Sequence, residues 1–190
     1  MTSSTQATTS EPSPVDVIRW QPLVLTPGKL EFLWKQFQRF PIAFDDFHRG
    51  NYDEFVKPFL APQNVFVDIG PNLGLAAGFA VKPGLDAVLH LVMFDRRLRG
   101  REPLFKEIMR YFFDALKLRR MTAMLADDAT TGVKLVERLG FHLEGTMRCA
   151  ILRDGQYHDC LIYGIFREEV QSGFEEGGDT SVHDQNLGTS

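Results

Sequence analysis

The stretch that most constrains this chain runs from Ala87 to Leu118. An apolar run, Ala87 to Phe94, leads into Asp95-Arg96-Arg97-Leu98-Arg99-Gly100-Arg101-Glu102-Pro103, and a strongly helical run, Leu104 to Leu118, follows. Strand, basic turn with one glycine and helix suit the grip of a pyrophosphate, and only the crossovers around the central helices would pair strands in parallel. The first N–H groups of a helix have no intrahelical partners and favour an anion. Arg96, Arg97, Arg99 and Arg101 add four positive charges to that mouth. The combination suits a diphosphate.

Upstream, Trp20 to Leu25 alternates weakly and predicts a short strand. Thr26-Pro27 has the form of an N-cap followed by proline at the first helical position. Leu30, Leu33, Trp34 and Phe37 recur at helical spacing, which predicts a helix to about Phe40, stopped by Pro41. Phe44, Phe47, Tyr52, Phe55 and Phe59 form an aromatic-rich stretch. A second helix is expected over Asn51 to Phe59, its end blurred by Pro58. These aromatics line a cleft or, more simply, fill a core. Strands are expected at Asn64–Ile69, Leu73–Val81 and Ala87–Phe94, joined by tight turns into an antiparallel meander. Gly74 and Gly78 are unusual inside a strand and suggest close backbone approach.

Downstream, Pro103 to Leu116 carries one apolar stripe, Phe105, Ile108, Met109, Phe112, Phe113 and Leu116. A strand at Arg120–Ala126, a helix at Thr130–Leu139 with Gly140 as its C-cap, and strands at Phe141–Leu152 and His158–Phe166 complete the pattern. Asp154-Gly155 is a two-residue hairpin signal. If that loop sets the register, Cys149 faces Cys160 across the hairpin, at a separation that allows a disulfide. Free thiols are expected, because the setting reads as reducing. The whole predicts a mixed α/β sheet with helices on both faces.

The chain has 190 residues and a net charge of -4, with two cysteines. Met1 to Pro14 is Ser, Thr and Pro, and Gln171 to Ser190 is Gly, Ser, Thr and acid. Both read as disordered tails around a domain over residues 15–170. The mild acidity makes nucleic acid an unlikely partner. No signal-peptide core follows Met1 and no run is long enough to span a membrane, which predicts a cytoplasmic protein. No His or Cys cluster with metal spacing occurs, so no metal is expected.

The element order, the basic turn and Leu139-Gly140-Phe141 resemble the GNAT acetyltransferases. Val136 to Phe141, Glu144-Gly145, Arg148, Asp154-Gly155, Asp159, Tyr163-Gly164 and Glu168 look like the branch that acetylates ribosomal-protein N-termini, amino sugars and polyamines. The resemblance covers roughly Gln21 to Glu169. It implies a GNAT-like fold of about seven strands and acetyl transfer from acetyl-coenzyme A to a primary amine. It implies cofactor contacts from Met93, Phe94, Arg97, Leu98, Arg99, Gly100, Arg101 and Glu102, the backbone near Met93 and Phe94 holding the thioester oxygen. It leaves a homodimer open.

The family turn reads Arg/Gln-x-x-Gly-x-Gly/Ala; Arg97 and Gly100 match it, and Glu102 departs. Glu102 would satisfy the helix dipole with its own carboxylate, and Pro103 removes an N–H. Ala129 stands where the family often has Asn, and Val136 where it often has a Tyr that protonates the thiolate. The other reading is therefore a GNAT-shaped structural or interaction protein without chemistry. For an enzyme, the candidate bases are His90 and Glu144, with Asp68 and Asp127 behind them. His90 lies mid-strand on the face opposite Leu89, Leu91 and Met93, where a packed histidine is the plainer alternative. Asp127-Asp128 reads as a cap for the next helix. Asp159 and Tyr163 read as structural polar contacts.

Overall fold

A computed structural model describes residues 18–40 and 49–172 of the chain, with side chains to 170. The stretch 1–17, the expected helix stop at Pro41 with Phe44 and Phe47, and residues beyond 172 lie outside the described residues, so neither predicted tail is tested. The elements run β1 (Trp20–Pro22), α1 (Pro27–Phe37), α2 (Tyr52–Leu60), β2 (Val65–Ile69), β3 (Gly74–Lys82), β4 (Asp86–Met93), a 3-10 turn (Arg96–Leu98), α3 (Glu102–Ala115), β5 (Arg120–Ala126), α4 (Thr130–Leu139), β6 (His142–Arg153), β7 (Gln156–Phe166) and α5 (Arg167–Ser172). The order matches the sequence pattern except for α5, which that pattern does not contain and which takes in Gln171 and Ser172. β1 is shorter than expected, and α1 ends at Phe37.

Local chemistry explains the boundaries. The Thr26 side chain accepts from the Lys29 amide at 3.1 Å, and Asn51 Oδ1 accepts from the Glu54 amide at 3.2 Å, so both first helices begin on side-chain caps. Pro58 lies inside α2, in a helix only nine residues long. Gly140 ends α4 in the left-handed region at φ 98°. Asp154 and Gly155, at φ 52° and 71°, make the two-residue turn that the strand twist favours.

The seven strands lie in the order β1-β2-β3-β4-β5-β7-β6. β2 to β4 form the expected antiparallel meander, β1 joins its edge antiparallel to β2, β4 and β5 are parallel, and β5-β7-β6 return to antiparallel pairing. Alternation along β4 sends Ala87 and Leu89 to the side of α3 and α4, where Phe105, Ile108, Met109, Phe112 and Phe113 are buried. Leu75, on the other face, packs with Leu33 and Phe55 of α1 and α2. Gly74 faces the Val92 carbonyl, and a Cβ there would lie 2.7 Å from its oxygen. Gly78 has only ordinary contacts around its Cβ position, so close approach explains one of the two strand glycines.

The cysteine register differs from the sequence expectation. Arg153 pairs with Gln156 and Ile151 with His158, as the turn dictates, but Met147 pairs with Cys160. A bulge between them takes up extra residues, with Cys149 at φ 51° inside it. The Cys149 amide donates to Asp159 Oδ1 at 2.8 Å. Cys149 is exposed, Cys160 is buried, and both are free thiols.

Candidate active site

The register of β4 with β5 holds a single pair, Val88 with Thr122, after which the two strands part and leave a gap. The Phe94 amide donates to Leu73 O at 2.8 Å, on the β3 side. Because backbone groups alternate sides along an antiparallel strand, those of Leu91 and Met93 point away from β3, into the gap. Buried N–H and C=O groups demand partners, and here β5 does not supply them. The Phe94 amide, expected from the sequence to face a ligand, is spent on β3. The Met93 amide, its neighbour, has the required direction.

The gap opens toward the basic turn. Asp95 Oδ1 accepts from the Arg97 amide at 2.8 Å and from Arg97 Nε at 3.1 Å, and Oδ2 accepts from the second guanidinium nitrogen at 3.0 Å. Arg97 thus folds back on Asp95; that contact lowers the Asp95 carboxyl and raises the guanidinium. The amides of Leu98, Arg99 and Arg101 bond within the turn. Those of Gly100 and Leu104 have no acceptor among the described residues. Gly100 sits at φ 70°, which glycine adopts without strain. Leu98 is buried beneath the turn. Arg99 and Arg101 are exposed, and Arg101 Nε donates to Arg97 O at 3.4 Å.

Glu102 occupies the mouth of α3. Its carboxylate bonds its own amide and accepts from Arg138 Nε of α4 at 2.8 Å. The amide bond holds its pKa below the ordinary carboxylate value, against desolvation, with Arg138 adding to the effect. Val136 is buried in the core beside Leu135 and Leu139, so no hydroxyl replaces the missing tyrosine at that position. Tyr163 is buried too, its hydroxyl 3.2 Å from Glu137 Oε1. Burial first, then Glu137, push its pKa up.

On the α1–α2 side of the sheet lies a cleft of about 550 Å³. Phe79, Val88 and His90 form its floor, Glu54, Lys57 and Pro58 of α2 its wall, and Ala61 and Asn64 its end. His90 projects between Leu89 and Leu91 on the face opposite them, as the sequence alternation predicted. Its ring stands edge-on to Phe79 at 4.6 Å between centroids. His90 is exposed by surface area, on the side that opens onto the cleft, yet protein atoms crowd densely around the ring. Desolvation lowers its pKa to about 4, so the imidazole is neutral near pH 7.

The other candidate bases stand elsewhere. Glu144 is outside the cleft lining, its Oε2 held by Arg120 at 2.5 Å across Gly164. Asp68 is held by Lys29 at 2.8 Å in a largely buried pair. Asp127 and Asp128 do not cap α4, which begins at Thr130 with Ala129 as an N-cap that offers no side-chain bond. They face β7 and β6 instead. His158 Nδ1 lies 3.2 Å from Asp127, and Arg153 bonds both oxygens of Asp128 at 2.9 and 2.7 Å. Asp127, Asp128 and His158 bring ligand atoms within 4.8 Å of one another, but the buried Arg153 guanidinium already neutralises Asp128 and makes this an ion-pair network. Sequence reasoning missed Glu54, Lys57 and Phe79, because only the docking of α2 over the sheet brings the first two to the cleft.

No helix among the described residues is long and apolar enough to cross a membrane. No protein-family model matches the chain. It is 31% identical over 64 residues to a prophage-derived uncharacterized N-acetyltransferase of Bacillus subtilis, a match spanning 34% of this chain and 36% of that relative. Among solved structures, spermidine N-acetyltransferase from Vibrio cholerae in complex with CoA and spermine superposes at TM-score 0.67 with 17% identity, covering 81% of this chain and 98% of that one. A substituted form of the same enzyme gives TM-score 0.67 at 18% identity over 83% and 98%. The parted strands, the turn and the element order thus have one common description: the chain has the GNAT N-acetyltransferase fold.

Proposed function

We propose that this protein moves an acetyl group from acetyl-coenzyme A to a primary amine by direct attack. The observation that carries the reading is the parting of β4 and β5 beyond Val88, which leaves the backbone groups of Leu91 and Met93 directed into the gap. The amide-bearing arm of acetyl-coenzyme A is a strand-like partner for such groups. The thioester oxygen then meets a fixed N–H donor, which stabilises the developing oxyanion. The diphosphate lies at the turn, over the Gly100 and Leu104 amides, with Arg97, Arg99 and Arg101 around it and Leu98 anchoring the turn from below. Relatives in sequence and fold are N-acetyltransferases, and one is solved with CoA, which supports the same co-substrate.

The amine enters over the face that carries His90. A neutral imidazole accepts a hydrogen bond from the incoming N–H without repelling it, and takes the proton as the C–N bond forms. Proximity supplies most of the remaining acceleration. The thiolate leaves and is protonated by solvent, because Val136 offers no donor. Calorimetry with acetyl-coenzyme A, followed by thiol release on adding amines, tests the reading. Saturable heat and amine-dependent thiol release are expected; absence of both at high concentration removes it.

One observation favours the second reading, a fold kept for structure or interaction without chemistry. Glu102 places a carboxylate where the diphosphate belongs, anchored by Arg138. The same titration separates the two. The domain itself is taken to span residues 15–170, in a cytoplasmic setting.

A further inference from the structure

We infer that the cleft over His90 is the acceptor subsite and that it selects a primary monoamine with an uncharged, apolar body, such as an arylalkylamine, over a polyamine. The inference rests on the acetyl-transfer reading above.

Charge is the first argument. A polyamine carries further ammonium groups beyond the one that reacts, and each needs a carboxylate or a comparable acceptor when it leaves water. Among the described residues lining the cleft, Glu54 is the one carboxylate, and Lys57 holds it at 2.5 Å on the next turn of α2. A second ammonium group entering there would share Glu54 with Lys57, which already bonds its Oε1, and would face the Lys57 ammonium at close range. The wall as built is electrically balanced.

Shape and surface are the second argument. The floor is a phenylalanine ring, an imidazole in edge-on contact with it, and the Val88 side chain. Pro58 and Ala61 continue the apolar surface along α2. A volume of about 550 Å³ accommodates a ring or branched chain beside the reacting nitrogen. Such a body gains from contact with Phe79, and its single nitrogen is met by His90.

In the reaction the acceptor's ammonium group first loses a proton to water. Its nitrogen lone pair attacks the thioester carbon, the C–N bond forms as the C–S bond breaks, His90 takes the second proton, and the departing thiolate takes one from water. Coenzyme A thiol and the N-acetyl amide are the products.

The test uses the full chain with acetyl-coenzyme A and compares 2-phenylethylamine with spermidine by thiol release. The expected kcat/KM for 2-phenylethylamine is at least about tenfold higher. Lys57→Glu, on an exposed helical position, makes the wall doubly acidic and is expected to move the ratio toward spermidine by about tenfold or more. Heat of acetyl-coenzyme A binding should stay unchanged in that variant. Preference for spermidine in the wild type, or a ratio unmoved by Lys57→Glu, overturns the assignment while leaving acetyl transfer standing. If acetyl-coenzyme A neither binds nor turns over, the acetyl-transfer reading falls. The subsite is then judged by amine calorimetry alone, where 2-phenylethylamine binding no tighter than spermidine overturns it.

Discussion

Replacing Glu102 with alanine should tighten acetyl-coenzyme A binding. The carboxylate is ionised at neutral pH, because its pKa sits below the usual range. A phosphate charge about 5 Å away at an effective dielectric near 20 feels roughly 3 kcal/mol of repulsion. Arg138, 2.8 Å from the carboxylate, cancels part of that, and the side chain, 23% exposed, is further screened by water. About half survives, on the order of 1.4 kcal/mol, which is tenfold in affinity. Against it, the helix loses a favourable acid at its N-terminus, about 0.3–1 kcal/mol, and an exposed ion pair worth up to about 1 kcal/mol. The variant should therefore bind acetyl-coenzyme A about tenfold tighter while melting a few degrees lower. Isothermal calorimetry at two salt concentrations reads the first, with a smaller gain at high salt; a thermal melt reads the second. Unchanged or weaker binding would mean that no diphosphate sits at the mouth of α3, and the reasoning from the basic turn would be refuted.

Other outcomes follow from single sites. His90, lowered from 6.5 to about 4, is neutral in the fold where the unfolded chain would be charged. The unfolded state thus binds more protons between those values, so the stability from this group is complete above pH 6.5 and lost as pH falls toward 4. Urea melts at pH 4.5, 5.5 and 7.5 should show a steeper decline for the wild type than for His90→Gln; parallel declines would show that the ring is not desolvated. Gly74→Ala puts a Cβ 2.7 Å from Val92 O and 2.6 Å from Leu98 Cδ1. Backbone cannot yield cheaply, so a loss of about 1–3 kcal/mol is expected in denaturant titration; a neutral result would deny the close approach. A thiol reagent should label one cysteine in the native chain, Cys149, and two in denaturant. Burial raises the Cys160 pKa and shields it, and prompt labelling of both would contradict the register.

Much of the architecture was legible because it rests on local signals. Thr26-Pro27, Asp154-Gly155 and Gly140 each demand one backbone conformation, and the stripe from Phe105 to Phe113 leaves α3 one face to bury. The strand carrying His90 and the side of that strand followed from period two alone. What stayed hidden depended on partners distant in the chain. The direction of the Phe94 amide is set by Leu73, the pairing of Glu102 by Arg138, and the engagement of Asp128 by Arg153. The bulge at Cys149 answers to Asp159, which takes its amide, and no pattern in the hairpin sequence announces it. The cleft was foreshadowed by aromatic richness, but the contribution of Glu54 and Lys57 needed the docking of α2 over β4.

The two outermost strands differ in length but arrive at the same protection. β1 has three residues and ends on Pro22, whose nitrogen donates nothing. β6 is long and exposed, but its register slips twice, between Leu143 and Gly145 and between Met147 and Ile151. A foreign strand arriving at either rim finds no straight ladder to extend. The sheet can therefore leave twelve residues of margin in water without templating fibrils. Shortening the kinked loop around Cys149 should forfeit that immunity, visible as thioflavin-positive aggregates that the parent chain does not form.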